Sequence, residues 1–130
     1  MLKPGPQPSA STALRHTVVL SDVHLRQTHP DEPDPLWMRY RRRAYHPDAE
    51  FLSLCERLLA DHRGDTFELC FNGDLFAFDA PWVKDGASSD DEFPLDGPGC
   101  AAQMARILGD HETWLLGIGR FLAAGHDVTF

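Results

Sequence analysis

Two short apolar runs, each followed by an aspartate, are joined through one amphipathic helix, and that order leaves few ways to fold. The first run, Thr17-Val18-Val19-Leu20, leads into Ser21-Asp22-Val23-His24-Leu25. The second, Phe67-Glu68-Leu69-Cys70-Phe71, leads into Asn72-Gly73-Asp74-Leu75-Phe76. Apolar runs of this length bounded by polar residues read as buried strands. Between them, residues 47–63 set Phe51, Leu54, Cys55, Leu58 and Leu59 on one helical stripe, with Pro47 at the start and Gly64 past the end. Parallel strands need such a crossover, and its hand is nearly always right. The expected nucleus is a βαβ unit whose strands finish side by side, at the edge where open α/β sheets take their ligands.

The residues carried to that edge have a definite chemistry. Alternate side chains of an extended chain share a side, so Asp22 and His24 are expected to face one point. A carboxylate with an imidazole suits a divalent transition metal better than calcium, which prefers oxygen alone. Gly73 permits a sharp turn before Asp74, which adds a second acid.

S-D-V-H-L followed by N-G-D-L-F resembles the first two motifs of the calcineurin-like metallophosphoesterases, binuclear metal hydrolases of phosphate esters. The resemblance implies two divalent ions (manganese, iron or zinc), with Asp22 and His24 on the first and Asp74 bridging both. It implies hydrolysis of a phosphate monoester, diester or pyrophosphate by metal-activated water, the ions lying ~3.5–4 Å apart. The implied fold is the N-terminal part of an αββα sandwich, an α/β architecture of mostly parallel strands with crossover helices. Two departures matter. The family commonly has an acid three residues after the bridging aspartate, where this chain has Ala77 and the nearest acid is Asp79. Its third motif, G-N-H-[DE], is not reached, since Asp127-Val128-Thr129-Phe130 reads as the opening of the strand before it. The expectation is therefore a leader over 1–14 and a partial domain over 15–130, without the catalytic histidine motif and inactive alone. Its uncovered sheet face would leave apolar surface exposed. The rival reading is a non-catalytic, truncated half-domain that binds metal weakly at most.

Other chemistries fit less well. No G-x-S-x-G occurs, and Asp22-Val23-His24 is not the D-x-D of a phosphoaspartate enzyme. A net charge of −8 argues against nucleic-acid binding, which needs many cationic side chains. Cys55, Cys70 and Cys100 form no close pair and read as reduced thiols, so a cytoplasmic location is expected. No apolar run approaches the ~20 residues of a membrane span. The oligomeric state is not legible.

Residues 26–35 read as a loop in which His29 and Asp31 are exposed. The basic, aromatic run that follows ends in Arg41, Arg42 and Arg43. Their planar forks suit the oxygens of a phosphate-ester substrate; alternatively they form a solvated patch balancing nearby acids. Residues 79–99 read as a mobile loop beside the site, with Trp82 and Phe93 in it. Two helices follow, one with Ala101, Met104, Ala105 and Leu108 as its stripe. The other presents Trp114, Leu115, Ile118, Phe121 and Leu122, with a break at Gly109-Asp110 and a stop at Gly125. His111 and His126, at helix ends, are expected at the surface.

Overall fold

The computed structural model describes residues 13–28, 42–61, 64–78, 82–84, 87–89 and 96–130. Most of the leader, His29, Asp31, Arg41 and Phe93 lie outside the described residues. The two apolar runs form strands β1 (Arg15–Leu20) and β2 (Thr66–Phe71), paired in parallel from Arg15↔Thr66 to Leu20↔Phe71. Helix α1 (Asp48–Asp61) is the crossover between them. A hairpin of β3 (Trp82–Lys84) and β4 (Ala87–Ser89) follows, then α2 (Gly97–Asp110), α3 (Glu112–Ala123) and strand β5 (Asp127–Thr129). β5 lies parallel to β2, giving the order β1-β2-β5. The fold is mixed α/β with a three-stranded parallel sheet, and the hairpin stands apart as a two-stranded sheet.

Because the strands advance in one direction, right-handed crossovers place their helices on the same face. The side chains agree. Phe67, Leu69 and Phe71 of β2 are buried on one face, alternating with Thr66, Glu68 and Cys70 on the other. Phe51 of α1 stacks on Trp114 of α3 at 4.7 Å, and Trp114 reaches Phe71 at 5.0 Å. Farther along, Phe121 meets Phe67 edge-on at 6.0 Å. Trp114, Phe121, Leu69, Ile107 and Cys55 are almost fully buried. Burial pushes the Cys55 thiol up to about 11. The two helices meet closely at Gly117, where a β-carbon would sit 3.0 Å from the Phe51 ring and 3.4 Å from the Cys55 sulfur. All three cysteines are free. Among the described residues, no helix is long and apolar enough to cross a membrane.

Several expectations need correction. On α2 the buried residues are Gln103 and Ile107, while Ala101 and Ala105 are exposed. The buried face runs on at one-turn spacings into His111 and Trp114, and the polar Gln103 hid it from a count of apolar residues. The stop between the helices falls at His111, whose backbone N–H donates to Ile107 and Leu108. Leu122 of α3 is exposed rather than packed. His126 is half-buried against Phe67 and Phe121, and its Nδ1 accepts from the Phe67 backbone N–H at 3.4 Å. The stretch read as one long loop contains the β3–β4 hairpin and the N-cap of α2, where the Asp96 carboxylate accepts from Gly99 N–H at 2.7 Å.

The open face of the sheet is also more polar than expected. Glu68, on the central strand, accepts from Thr129 at 3.0 Å and Thr17 at 3.4 Å and pairs with Arg15 at 3.5 Å. Arg15 also reaches Asp127 at 3.5 Å. Val19 is a large apolar side chain exposed on this face. Cross-strand pairs of this kind contribute about 0.2–1 kcal/mol each, so they specify register more than they stabilise.

Candidate metal centre

Beyond Leu20 and Phe71 the parallel pairing does not stop, but it changes character. The Asn72 N–H donates to the Leu20 carbonyl at 2.8 Å, and both chains then leave the ladder. They rejoin where His24 N–H donates to Asp74 O at 2.9 Å and Leu25 N–H to Leu75 O at 2.8 Å. Ala77 N–H returns a bond to Leu25 O at 2.9 Å. Leu25, Leu75 and Ala77 are buried, so the core grips each loop one residue after His24 and Asp74.

The residues between these grips are turned into the left-handed region: Asp22 at φ 54°, His24 at φ 50° and Asp74 at φ 45°. Among the described residues no other non-glycine residue has positive φ. Each such residue costs about 1–2 kcal/mol, somewhat less for aspartate, and persists only where its surroundings enforce it. Gly73, at φ 78°, supplies the accompanying turn without that cost.

The expected convergence of Asp22 and His24 is present, but strand alternation does not cause it. The strand ends at Leu20, and the left-handed turns bring the two side chains together. His24 Nε2 lies 3.9 Å from Asp22 Oδ1, and one ligand atom from each of Asp22, His24 and Asp74 falls within 4.8 Å of the others. Two donors bound to one transition-metal ion at about 2.0–2.2 Å are at most about 4.4 Å apart, so small side-chain rotations bring all three into bonding range. The side chains of Asp22 and His24 face solvent, open to an incoming ion.

A pocket of about 280 Å³ lies beside them, lined by Asp22, Val23, His24, Arg26, Tyr45, His46 and Pro47. Sequence reasoning did not single out Arg26, Tyr45 or His46. It also placed His111 at the surface, whereas His111 is 1% exposed. The His111 Nδ1 meets the Asp48 carboxylate at 2.9 and 3.1 Å, and its Nε2 meets the Arg26 carbonyl at 2.8 Å. With acceptors at both nitrogens, both carry protons and the ring is a cation. Burial opposes that charge, but the bonds to Asp48 and Arg26 O outweigh it and raise the pKa. The helix junction thus needs a buried cation, which a periodicity count cannot register.

His46 packs edge-on against His111 at 4.7 Å. Burial, then the charge on His111, holds its pKa down to about 4, so its ring is neutral near neutral pH. Its Nε2 is buried with no hydrogen-bond partner among the described residues. Of the arginines singled out from the sequence, Arg43 ion-pairs with Asp110 at 3.3 Å. It lines a different pocket, with Asp48 and Glu112, from the one holding Asp22 and His24. Arg42 is half-buried just before the 3-10 turn Arg43–Tyr45, and Arg41 lies outside the described residues.

No protein-family model matches this chain, and neither does any curated protein or solved structure.

Proposed function

We propose that Asp22, His24 and Asp74 are the protein's share of a binuclear divalent-metal centre, in a metallophosphoesterase that hydrolyses a phosphate monoester, diester or pyrophosphate. The observation that carries this reading is a coincidence. The three residues in strained left-handed conformations are the three whose donor atoms converge, and strain of this kind concentrates at functional sites. The S-D-V-H-L and N-G-D-L-F motifs support it, as does the parallel sheet that presents them at its carboxyl edge. An αββα sandwich, of which these strands and helices form one part, is the architecture proposed with it. Asp22 and His24 would hold one ion and Asp74 would bridge to the second. Mixed oxygen and nitrogen donors suit manganese, iron or zinc. Bound there, such ions polarise a phosphoryl group and make water nucleophilic near neutral pH.

One observation favours a second reading for the chain by itself. Only three donor side chains converge among the described residues, fewer than two ions need. On this count the chain binds metal weakly and does not turn over substrate. Calorimetric titration with manganese tests the centre: saturable binding is expected, weakened at least tenfold in Asp74→Asn. Equal affinity in the variant would remove Asp74 from the centre. An assay with a chromogenic phosphodiester and excess manganese separates the readings. Turnover that vanishes in Asp74→Asn makes the chain an enzyme; its absence favours the non-catalytic reading.

A further inference from the structure

We propose that Arg26 binds the phosphoryl group of the substrate beside the Asp22, His24 and Asp74 centre, and that His111 is the positioning residue that holds Arg26 there. The assignment rests on the reading of that centre as a divalent-metal site.

Arg26 lines the same pocket as Asp22 and His24. Its placement is fixed from several sides. Leu25 before it is fully buried. The Arg26 carbonyl accepts from His111 Nε2 at 2.8 Å, and the Thr28 N–H donates to the Asp110 carboxylate at 2.8 Å. The Asp48 carboxylate at Nδ1 holds the His111 ring in turn. The side chain folds back along the ligand loop, its Nε donating to the His24 carbonyl at 3.4 Å. Arg26 therefore belongs to the wall of the pocket that Asp22 and His24 line, while Asp74 lines a different one.

The chemistry of that wall names the ligand class. A carboxylate-rich centre attracts cations, and a guanidinium beside it serves an anion bound to those cations. The planar fork of arginine matches two oxygens of a phosphoryl group. The other lining groups, Tyr45 and the neutral His46, bring no competing negative charge. Arg43, another described cation, lines a different pocket from the one that holds Asp22 and His24.

The test titrates the manganese-loaded chain with inorganic phosphate by calorimetry, with manganese binding measured separately by electron paramagnetic resonance. Arg26→Gln is expected to weaken phosphate binding roughly ten- to a hundredfold, the range for a lost charge-assisted hydrogen bond, and to leave manganese affinity unchanged. Unchanged phosphate affinity in a manganese-loaded Arg26→Gln overturns the assignment and leaves the centre standing. A wild-type chain that takes up no manganese removes the centre, and the assignment with it. The positioning role is read from a double-mutant cycle. If His111 acts through Arg26, His111→Gln weakens phosphate binding in the wild-type background and has no further effect beside Arg26→Gln. Additive losses overturn that role. Arg26 is only partly buried, so Arg26→Gln keeps the assignment testable even where His111→Gln does not fold.

Discussion

The helix-covered face of the sheet and the carboxyl ends of its strands are built from the same two segments, and they obey opposite rules. On the covered face, Phe67, Leu69 and Phe71 alternate as a strand should, and Phe51, Trp114 and Phe121 fill the space above them. Local preference and tertiary packing agree there. A few residues later the chain leaves the strand conformation, turns three non-glycine residues left-handed and points polar side chains at solvent. The difference teaches where the stability resides. Leu25 and Leu75 lend the loops their grip on the core, and Asp22, His24 and Asp74 spend that grip on geometry.

Breaking the covered face should have the largest effect. Trp114 is 1% exposed and touches both Phe51 and Phe71, so Trp114→Ala is expected to cost about 3–5 kcal/mol. For a domain of this size that is a large share of total stability. Urea unfolding followed by circular dichroism measures it. A loss below ~1 kcal/mol would mean that the sheet does not depend on the helices over it.

The contrast predicts the opposite sign at the strand ends. Asp74→Gly and Asp74→Ala both remove the carboxylate, but only glycine is at ease at φ 45°. Without metal, the glycine variant should be more stable than the alanine variant by about 1 kcal/mol, although glycine normally weakens ordered structure. Alanine equal to or better than glycine in the same unfolding experiment would show that Asp74 is not strained. The same pair sharpens the metal reading, since added manganese should raise the stability of the wild type and of neither variant.

What could be read in advance follows the same division. The β1–α1–β2 unit was legible because apolar periodicity reports burial, and burial forms that part of the fold. β5, with no buried residue, was legible from the helix stop at Gly125 and the β-branched pair Val128-Thr129 after it. Asp22, His24 and Asp74 were legible as a set, through the types of residue at two strand ends. The mechanism of their convergence was not, because a left-handed aspartate leaves no trace in composition. His111 was missed for another reason. A histidine between two helices looks like a surface residue until Asp48 and the Arg26 carbonyl, far away in sequence, are brought to its two nitrogens. Gln103 misled in a similar way, a polar residue on a buried helical face.

The smallest expected effect separates the two histidines that link the regions, the buried His111 and the half-buried His46. His46 has its pKa lowered to about 4, first by burial and then by His111, against about 6.5 when unfolded. Between those values the unfolded chain binds the extra proton and the folded chain does not, so stability falls as pH drops from about 6.5 toward 4. His111 works in the other direction. Its pKa is raised, so its contribution is fully present below about 6.5 and is lost as pH rises through its folded value. The contribution of the pair is therefore greatest near pH 6.5. Urea midpoints taken at intervals from pH 4.5 to 8 should trace both limbs. His46→Phe keeps a ring against His111 but cannot titrate, and it should flatten the acid limb while leaving the alkaline one. Other carboxylates contribute to the acid limb of both proteins, so the comparison lies in the difference between them. If that difference does not change with pH below 6.5, His46 is not held neutral by burial against His111.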